Sequence, residues 1–288
     1  MSETRQLPMA SLVVRLLRPL LGEKRAREFV GSNYAVATLV YYSFRTQHGK
    51  ALLGLVWALL TPLLFIVVYV PVLGAMGMSA SADSVLGEGR LGFPIYVVAG
   101  FVTWTAFTYG LQNGSTSLVD NPDVVHHSPI PLSILPLVKV LNGMVGLLVS
   151  GVILSIGLAF VGRFPGIRLL IFPGLLILLA MFTLGLALLC SALAVFFRDV
   201  LQILNSLLLI EFFAVPLIYL PTQIPEGYRY LLDLNPLSPF MELAHATFIR
   251  QYPISWHMLG LAVLWAVGTY AVGRLVFLRL ERNIADYT

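Results

Sequence analysis

The sequence predicts an all-α membrane protein with six transmembrane helices, an N-terminal amphipathic interfacial helix, and short re-entrant helices between spans five and six. Hydrophobic residues make up 58% of the chain and charged residues only 11%, whereas a water-soluble domain carries about 25% charged residues. The mean hydropathy is +0.86, and six long apolar runs are separated by short polar segments. Runs of about 20 apolar residues can cross a bilayer as helices, so most of the chain is expected to lie inside the membrane.

The apolar runs place the spans at about residues 51–75, 94–117, 132–161, 169–195, 200–220 and 257–278. Pro62, Pro71 and Pro216 fall inside these spans, where membrane helices tolerate proline if neighbouring groups satisfy the freed carbonyl. Six spans use most of the 288 residues, so no separate soluble domain is expected.

The charge distribution predicts the orientation. With six spans, 13 of the 18 Lys and Arg residues lie on the side that holds both termini. Basic residues concentrate on the cytoplasmic side of membrane proteins. We therefore expect a multi-pass protein of the inner (cytoplasmic) membrane with both termini in the cytoplasm, made of a cationic tail (1–30) and a transmembrane domain (31–288).

Two segments outside the spans have unusual compositions. In residues 31–50, aromatic residues recur at helical spacing and basic residues follow, which predicts an amphipathic helix in the membrane interface. An aqueous extension of span one is the alternative. Residues 221–250 are too polar to span and too apolar for an exposed loop, and Pro236 and Pro239 are expected to break them into short half-inserted helices.

The sequence lacks the motifs of a nucleotide-binding or metal-dependent enzyme. No GxxxxGK[ST] phosphate loop, HExxH or paired CxxC occurs, so no catalytic residue, metal site or cofactor of its own is expected. Adjacent histidines, His126 and His127, are poorly placed to share one metal. Asp120 and Asp123 flank a turn at Asn121 and Pro122, where helix capping explains them better than catalysis.

Aromatic and hydrogen-bonding side chains share one face of several spans. Rings stack on the C–H faces of sugars, and hydroxyl and amide groups bond their hydroxyls, so a lumen lined this way could hold a glycan weakly at many points, as conduction requires. Helix packing combined with interfacial aromatic belts is the competing interpretation. The candidate channel residues are Trp57, Thr61, Phe65, Tyr69, Phe101, Trp104, Thr105, Thr108, Tyr109, Gln112, Phe212 and Tyr219.

Glu211 lies near the middle of span five. An acidic residue at that depth is costly unless it faces protein or water. Three roles remain open for it: a lumen group, a protonated hydrogen-bond donor, or the partner of a basic residue on another span.

Two stretches carry a family resemblance. The first is LLGLVWALLTPLL at 52–64. The second, at 196–245, contains the Arg198–Asp199 turn and the Asn235-Pro236-Leu237-x-Pro239 break. Both resemble the membrane subunit of type-2 ABC exporters for lipid-linked polysaccharides, which include O-antigens, teichoic acids and capsules, and with the span layout the resemblance covers about 31–280.

The resemblance implies a homodimer with a channel at its interface, joined by two copies of a separate ATPase subunit that binds ATP and Mg. The interfacial helix and a coupling turn (118–131) would contact that subunit, the 221–250 helices would form an outer gate, and Arg45 and Lys50 would lie at the cytoplasmic entrance for the glycan. No nucleic-acid partner is expected. The coupling residues expected in the turn are Asp120, Asn121, Asp123, His126 and His127.

The resemblance therefore implies a permease subunit that exports lipid-linked polysaccharide, with O-antigen as the first expectation. The nearest alternative is a type-2 ABC permease for drugs or small lipids, which shares this topology. A membrane lipid-sugar transferase would need an acidic or metal cluster at the membrane edge, and an ion-coupled carrier would depend on Glu211 alone.

Overall fold

A computed structural model describes residues 64, 67–68, 71–72, 75, 86, 91–127 and 131–284. In this part of the chain all regular structure is helical. The earliest described positions, from 64 to 86, are helical as well. The helices after them are α1 (Gly92–Thr116), α2 (Pro122–His127), α3 (Ile134–Phe160), α4 (Ile171–Phe196), α5 (Asp199–Ala214), α6 (Tyr230–Leu234), α7 (Ser238–Phe248) and α8 (Trp256–Ile284).

Among the described residues, four helical segments are long and apolar enough to cross a membrane. They are Gly92–Thr116, Ile134–Phe160, Gly166–Phe196 and Trp256–Glu281, the third of which joins a 3-10 turn to α4. They correspond to predicted spans two, three, four and six, so the chain is a multi-pass membrane protein. Span one, the interfacial helix and the cationic tail fall wholly or mostly outside the described residues, and the count of six spans stays a prediction.

Predicted span five forms a shorter continuous helix than its apolar run suggested. Helix α5 has 16 residues, a length of about 24 Å at the α-helical rise, whereas the hydrocarbon core of a bilayer is about 30 Å thick. The backbone becomes extended at Val215, because the residue before a proline is disfavoured in the helical region. The chain then continues without an α-helix as far as Tyr230.

Helix α1 occupies the centre of the packed part of the fold. It contacts α3, α4, α5 and α7, and 78% of its most apolar window is buried. It is also the least apolar of the four candidate spans, with a mean hydropathy of 1.2 against 2.5 for the α4 segment. In a bilayer the strongly apolar helices can face lipid, so the helix with more polar groups takes the protein interior.

Helices α4 and α8 approach each other through two glycines. A Cβ atom added at Gly185 would collide with the backbone at Thr269, and one added at Gly273 would collide with the backbone of Gly185. Small residues allow this close approach between membrane helices. The contact holds α8 directly against α4.

The connecting segment (residues 215–255) links α5 to α8 and holds two one-turn 3-10 helices, α6 and α7. The expectation that both prolines break this segment is half right. Pro236 lies in the break between α6 and α7, but Pro239 lies in the first turn of α7. A proline costs little there, because the N–H that it lacks has no intrahelical partner in any case.

Candidate functional site

A polar surface runs along the exposed edges of α1 and α5. Thr105 and Gln112 on α1 and Asn205 on α5 are exposed, and the Gln112 Nε2 atom donates a hydrogen bond of 3.0 Å to the Asn205 Oδ1 atom. This bond leaves N–H groups on both amides free to donate to another molecule. Gln202 and Ser206, which sequence reasoning did not select, are also exposed on α5.

The threonine hydroxyls on this surface donate to their own helix. Thr105 Oγ1 donates to the carbonyl of Phe101 at 2.7 Å, and Thr108 Oγ1 donates to that of Trp104 at 3.0 Å. Each hydroxyl oxygen still has acceptor capacity. The surface can therefore offer both acceptors and amide donors, the pattern that complements the hydroxyl groups of a sugar.

The large aromatic residues of the predicted channel set lie deeper than its polar members. Phe101 and Trp104 are 6% and 8% exposed, and the Trp104 ring meets the Phe212 ring of α5 edge-on with centroids 5.5 Å apart. Tyr109 and Tyr219 are half-buried, and the Tyr219 hydroxyl donates to the carbonyl of Ala214 at 2.6 Å. The Trp104 and Phe212 rings thus join α1 to α5, and the contact of these aromatics with substrate stays a prediction.

Several predicted site residues fall where the structure gives less information. Trp57, Thr61, Phe65 and Tyr69 of the channel set lie outside the described residues, as do Arg45 and Lys50. The coupling turn contains α2, with Asp120 exposed and the Asn121 Nδ2 atom donating to the carbonyl of Ser117 at 2.8 Å. The side chains of Asp123, His126 and His127 lie outside the described part.

Helix α5 presents most of its surface outwards. Leu208 is its one buried residue, whereas Ile203, Leu207 and Phe213 are each more than half exposed. Both apolar and polar side chains are therefore exposed on this helix, which the described part of the chain covers on one side.

Glu211 on α5 lies beside the Asn235 side chain of the connecting segment. The Glu211 Oε1 atom is buried and has no hydrogen-bond partner among the described residues. The Asn235 Oδ1 atom accepts the backbone N–H groups of Leu237 and Ser238, at 2.8 and 3.0 Å, which caps the start of α7. The three roles considered for Glu211, as a lumen group, a protonated hydrogen-bond donor or the partner of a basic residue on another span, stay predictions.

Arg168 ties the end of the connecting segment to the start of α4. Its Nη1 atom donates to the carbonyls of Tyr252 at 2.7 Å and Ala246 at 3.2 Å. Nearby on α7, burial raises the pKa of the Glu242 carboxyl group. Sequence reasoning missed these contacts, because no local pattern in the chain pairs Arg168 with residues some 80 positions later.

The described helices define a multi-pass membrane protein. Long apolar helices surround a less apolar central helix, and amides are exposed along one edge. Comparison with known families names the class. The profile of the ABC-2 type transporter family matches residues 34–249, and the chain belongs to this family. The resemblance inferred from the two sequence stretches is thereby confirmed.

Individual relatives agree with the family match. The O-antigen export system permease protein RfbA of Myxococcus xanthus is 27% identical over 259 residues, covering 88% of this chain and 96% of the relative. Two proteins of the same name from Klebsiella pneumoniae are each 21% identical over 243 residues, covering 84% of this chain and 90% of the relative.

Proposed function

We propose that the chain is the permease subunit of an ATP-driven exporter that moves lipid-linked O-antigen across the inner membrane. The observation that carries this proposal is the alignment of three O-antigen export permeases with 84–88% of the chain. The family match over residues 34–249 supports a transport subunit that works with a separate ATPase, rather than an enzyme with its own nucleotide site.

The polar surface of α1 and α5 supports a pathway for a hydroxyl-rich substrate. Amide groups such as those of Gln112 and Asn205 are costly in lipid unless water or protein satisfies them. Both are exposed in the single chain. A second copy facing α5 would enclose this surface in a water-filled lumen, so the exporter works as a homodimer with two ATPase subunits.

The remaining parts take their roles from this arrangement. The interfacial helix 31–50 and the coupling turn 118–131 contact the ATPase subunits, and both termini lie in the cytoplasm. The 221–250 helices close the outer end of the lumen, while Arg45 and Lys50 receive the pyrophosphate of the lipid carrier at the inner end. Sugar units then pass the polar residues of α1 and α5 and the aromatic residues of spans one, two and five.

The test is deletion of the gene in its host, followed by measurement of surface glycan and of lipid-linked glycan inside the cell. Export predicts loss outside with accumulation inside, and restoration by the wild-type gene. Unchanged surface glycan would refute the proposal in favour of a permease for drugs or small lipids. Loss on both sides would instead indicate a biosynthetic enzyme.

A paired variant tests the polar surface itself. The double substitution Gln112→Ala and Asn205→Ala should lower export severalfold, because it removes amide groups that would bond sugar hydroxyls, each worth about 1 kcal/mol. Gln251→Ala, which removes an exposed amide outside α1 and α5, serves as the matched control with normal export. Protein level and basal ATPase activity should stay near wild type, since the altered side chains are exposed. Normal export by the double variant would remove this surface from the pathway.

A further inference from the structure

Tyr96, in the first turns of α1, contacts two separate parts of the connecting segment. Its side chain is fully buried, at 0% exposure. Its hydroxyl group donates to the carbonyl of Pro216 at 2.8 Å and lies 2.9 Å from the carbonyl of Tyr219. A single hydroxyl proton serves one carbonyl at a time, so the two carbonyls compete for the same donor.

These carbonyls need a donor because the chain is not helical there. Helix α5 ends at Ala214, and the residues from Val215 to Leu220 form no helix of their own. A buried carbonyl without a partner costs several kcal/mol in an apolar environment. The Tyr96 hydroxyl therefore stabilises the position at which the chain leaves α5.

The ring of Tyr96 contacts the second part of the connecting segment, which is α7 and the residues after it. The His245 ring of α7 stacks on it, with ring centroids 3.6 Å apart and an angle of 14° between the planes. His245 is fully buried, and burial lowers its pKa to about 3, so the ring is neutral. The Tyr252 ring completes the cluster at 6.1 Å from the Tyr96 ring and 5.5 Å from the His245 ring.

Gly100 provides the space for this stack. It lies one turn after Tyr96 on α1, and a Cβ atom placed there would lie 3.1 Å from the His245 Nε2 atom and 3.4 Å from the Leu217 side chain. That spacing is tighter than an ordinary contact. The pair Tyr96 and Gly100 thus forms a seat on α1 for both the chain after α5 and α7.

We propose that Tyr96, stacked on His245, is the positioning residue that holds the outer gate closed in the resting exporter. The proposal rests on the proposed function, because it takes the 221–250 helices of the connecting segment as the outer gate. One residue of the central helix fixes both halves of that segment, so they are released together when the Tyr96 contacts open. Opening then requires the hydroxyl to leave the Pro216 and Tyr219 carbonyls and α7 to move off the ring.

The experiment measures leak through the purified permease–ATPase complex in proteoliposomes without ATP. The probe is trapped carboxyfluorescein, and efflux is expressed per assembled complex. Tyr96→Phe keeps the ring and its stack but removes the hydroxyl. We expect leak to rise about three- to tenfold, the range that corresponds to the loss of one buried hydrogen bond. Glycan moved per ATP hydrolysed should fall in the same variant.

Two further variants make the result decisive. Gly100→Ala keeps the hydroxyl but crowds His245, and it should raise leak in the same direction if Tyr96→Phe fails to assemble. Tyr270→Phe, on α8, is the matched control with wild-type leak. A purely structural Tyr96 would lower the amount of complex but leave leak per complex unchanged, and that result overturns the proposal, as does equal leak in Tyr270→Phe. If the wild-type complex moves no glycan, the proposed function fails, and the leak comparison shows only whether Tyr96 seals the complex.

Discussion

Helices α1 and α5 face each other but have opposite relations to the rest of the chain. Most residues of α1 are buried among α3, α4, α5 and α7, whereas α5 buries Leu208 alone. Yet α1 is the least apolar of the four candidate spans. The described part of the chain therefore has a packed side, built from α1, α3, α4, α7 and α8, and an open side formed by α5.

The difference shows how burial works in a membrane protein. Lipid is as apolar as a leucine side chain, so strongly apolar helices gain little by hiding from it, and close packing and polar contacts decide which helix is central. Within the described part of the chain, α5 keeps amide and hydroxyl groups exposed. In lipid such groups need a polar partner or water, which the proposed homodimer around a lumen would supply.

The largest expected effect comes from breaking the packed side at its closest contact. Gly185→Leu places a branched side chain against the backbone of α8 at Thr269, and it should lower the free energy of unfolding by about 3 kcal/mol, the upper end for overpacking. Gly174→Leu in the same helix is the matched control, because a Cβ there meets nothing within 4 Å. Thermal unfolding in detergent compares them, and equal stability would show that α4 and α8 are not in close contact.

An intermediate effect is expected where the packed side holds the connecting segment. Arg168→Met removes a cation that donates to the carbonyls of Ala246 and Tyr252, a loss of about 1.5–3 kcal/mol for bonds from a charged group. Trypsin cleavage after the exposed Arg250 should then become at least about tenfold faster. Arg229→Met, which alters an exposed pair with Glu226, should cleave like wild type. An unchanged rate in Arg168→Met would mean that the end of the segment is held by other contacts.

The smallest effect is expected at the bond that joins the two sides. A double-mutant cycle with Gln112→Ala and Asn205→Ala should give a coupling of about 0.5–1 kcal/mol in unfolding free energy, because both amides are exposed. Ser206→Ala on the same helix should show no coupling to Gln112→Ala. A coupling indistinguishable from zero would indicate that the amides part in the assembled exporter and bond substrate or water instead.

Local patterns were sufficient for four of the six predicted spans and for the family. An apolar run of about 20 residues can insert into the bilayer independently of its neighbours. Spans two, three, four and six could therefore be placed from the sequence. The helix break at Asn235 and Pro236 could also be predicted from the sequence, because a proline restricts the local backbone conformation. Pro239 shows the limit of this rule, since the same residue type begins α7 rather than breaking it.

The sequence by itself determined that this is a helical multi-pass membrane protein, and it indicated the transporter family through motifs of adjacent residues. The tertiary structure decided which helix is central, that Gly185 and Gly273 bring α4 and α8 together, and that Tyr96 reaches carbonyls 120 and 123 positions away. The physical reason is the distance along the chain over which the interactions act. Insertion into lipid depends on the composition of one segment, whereas packing and the satisfaction of freed carbonyls depend on which distant groups the fold brings into contact.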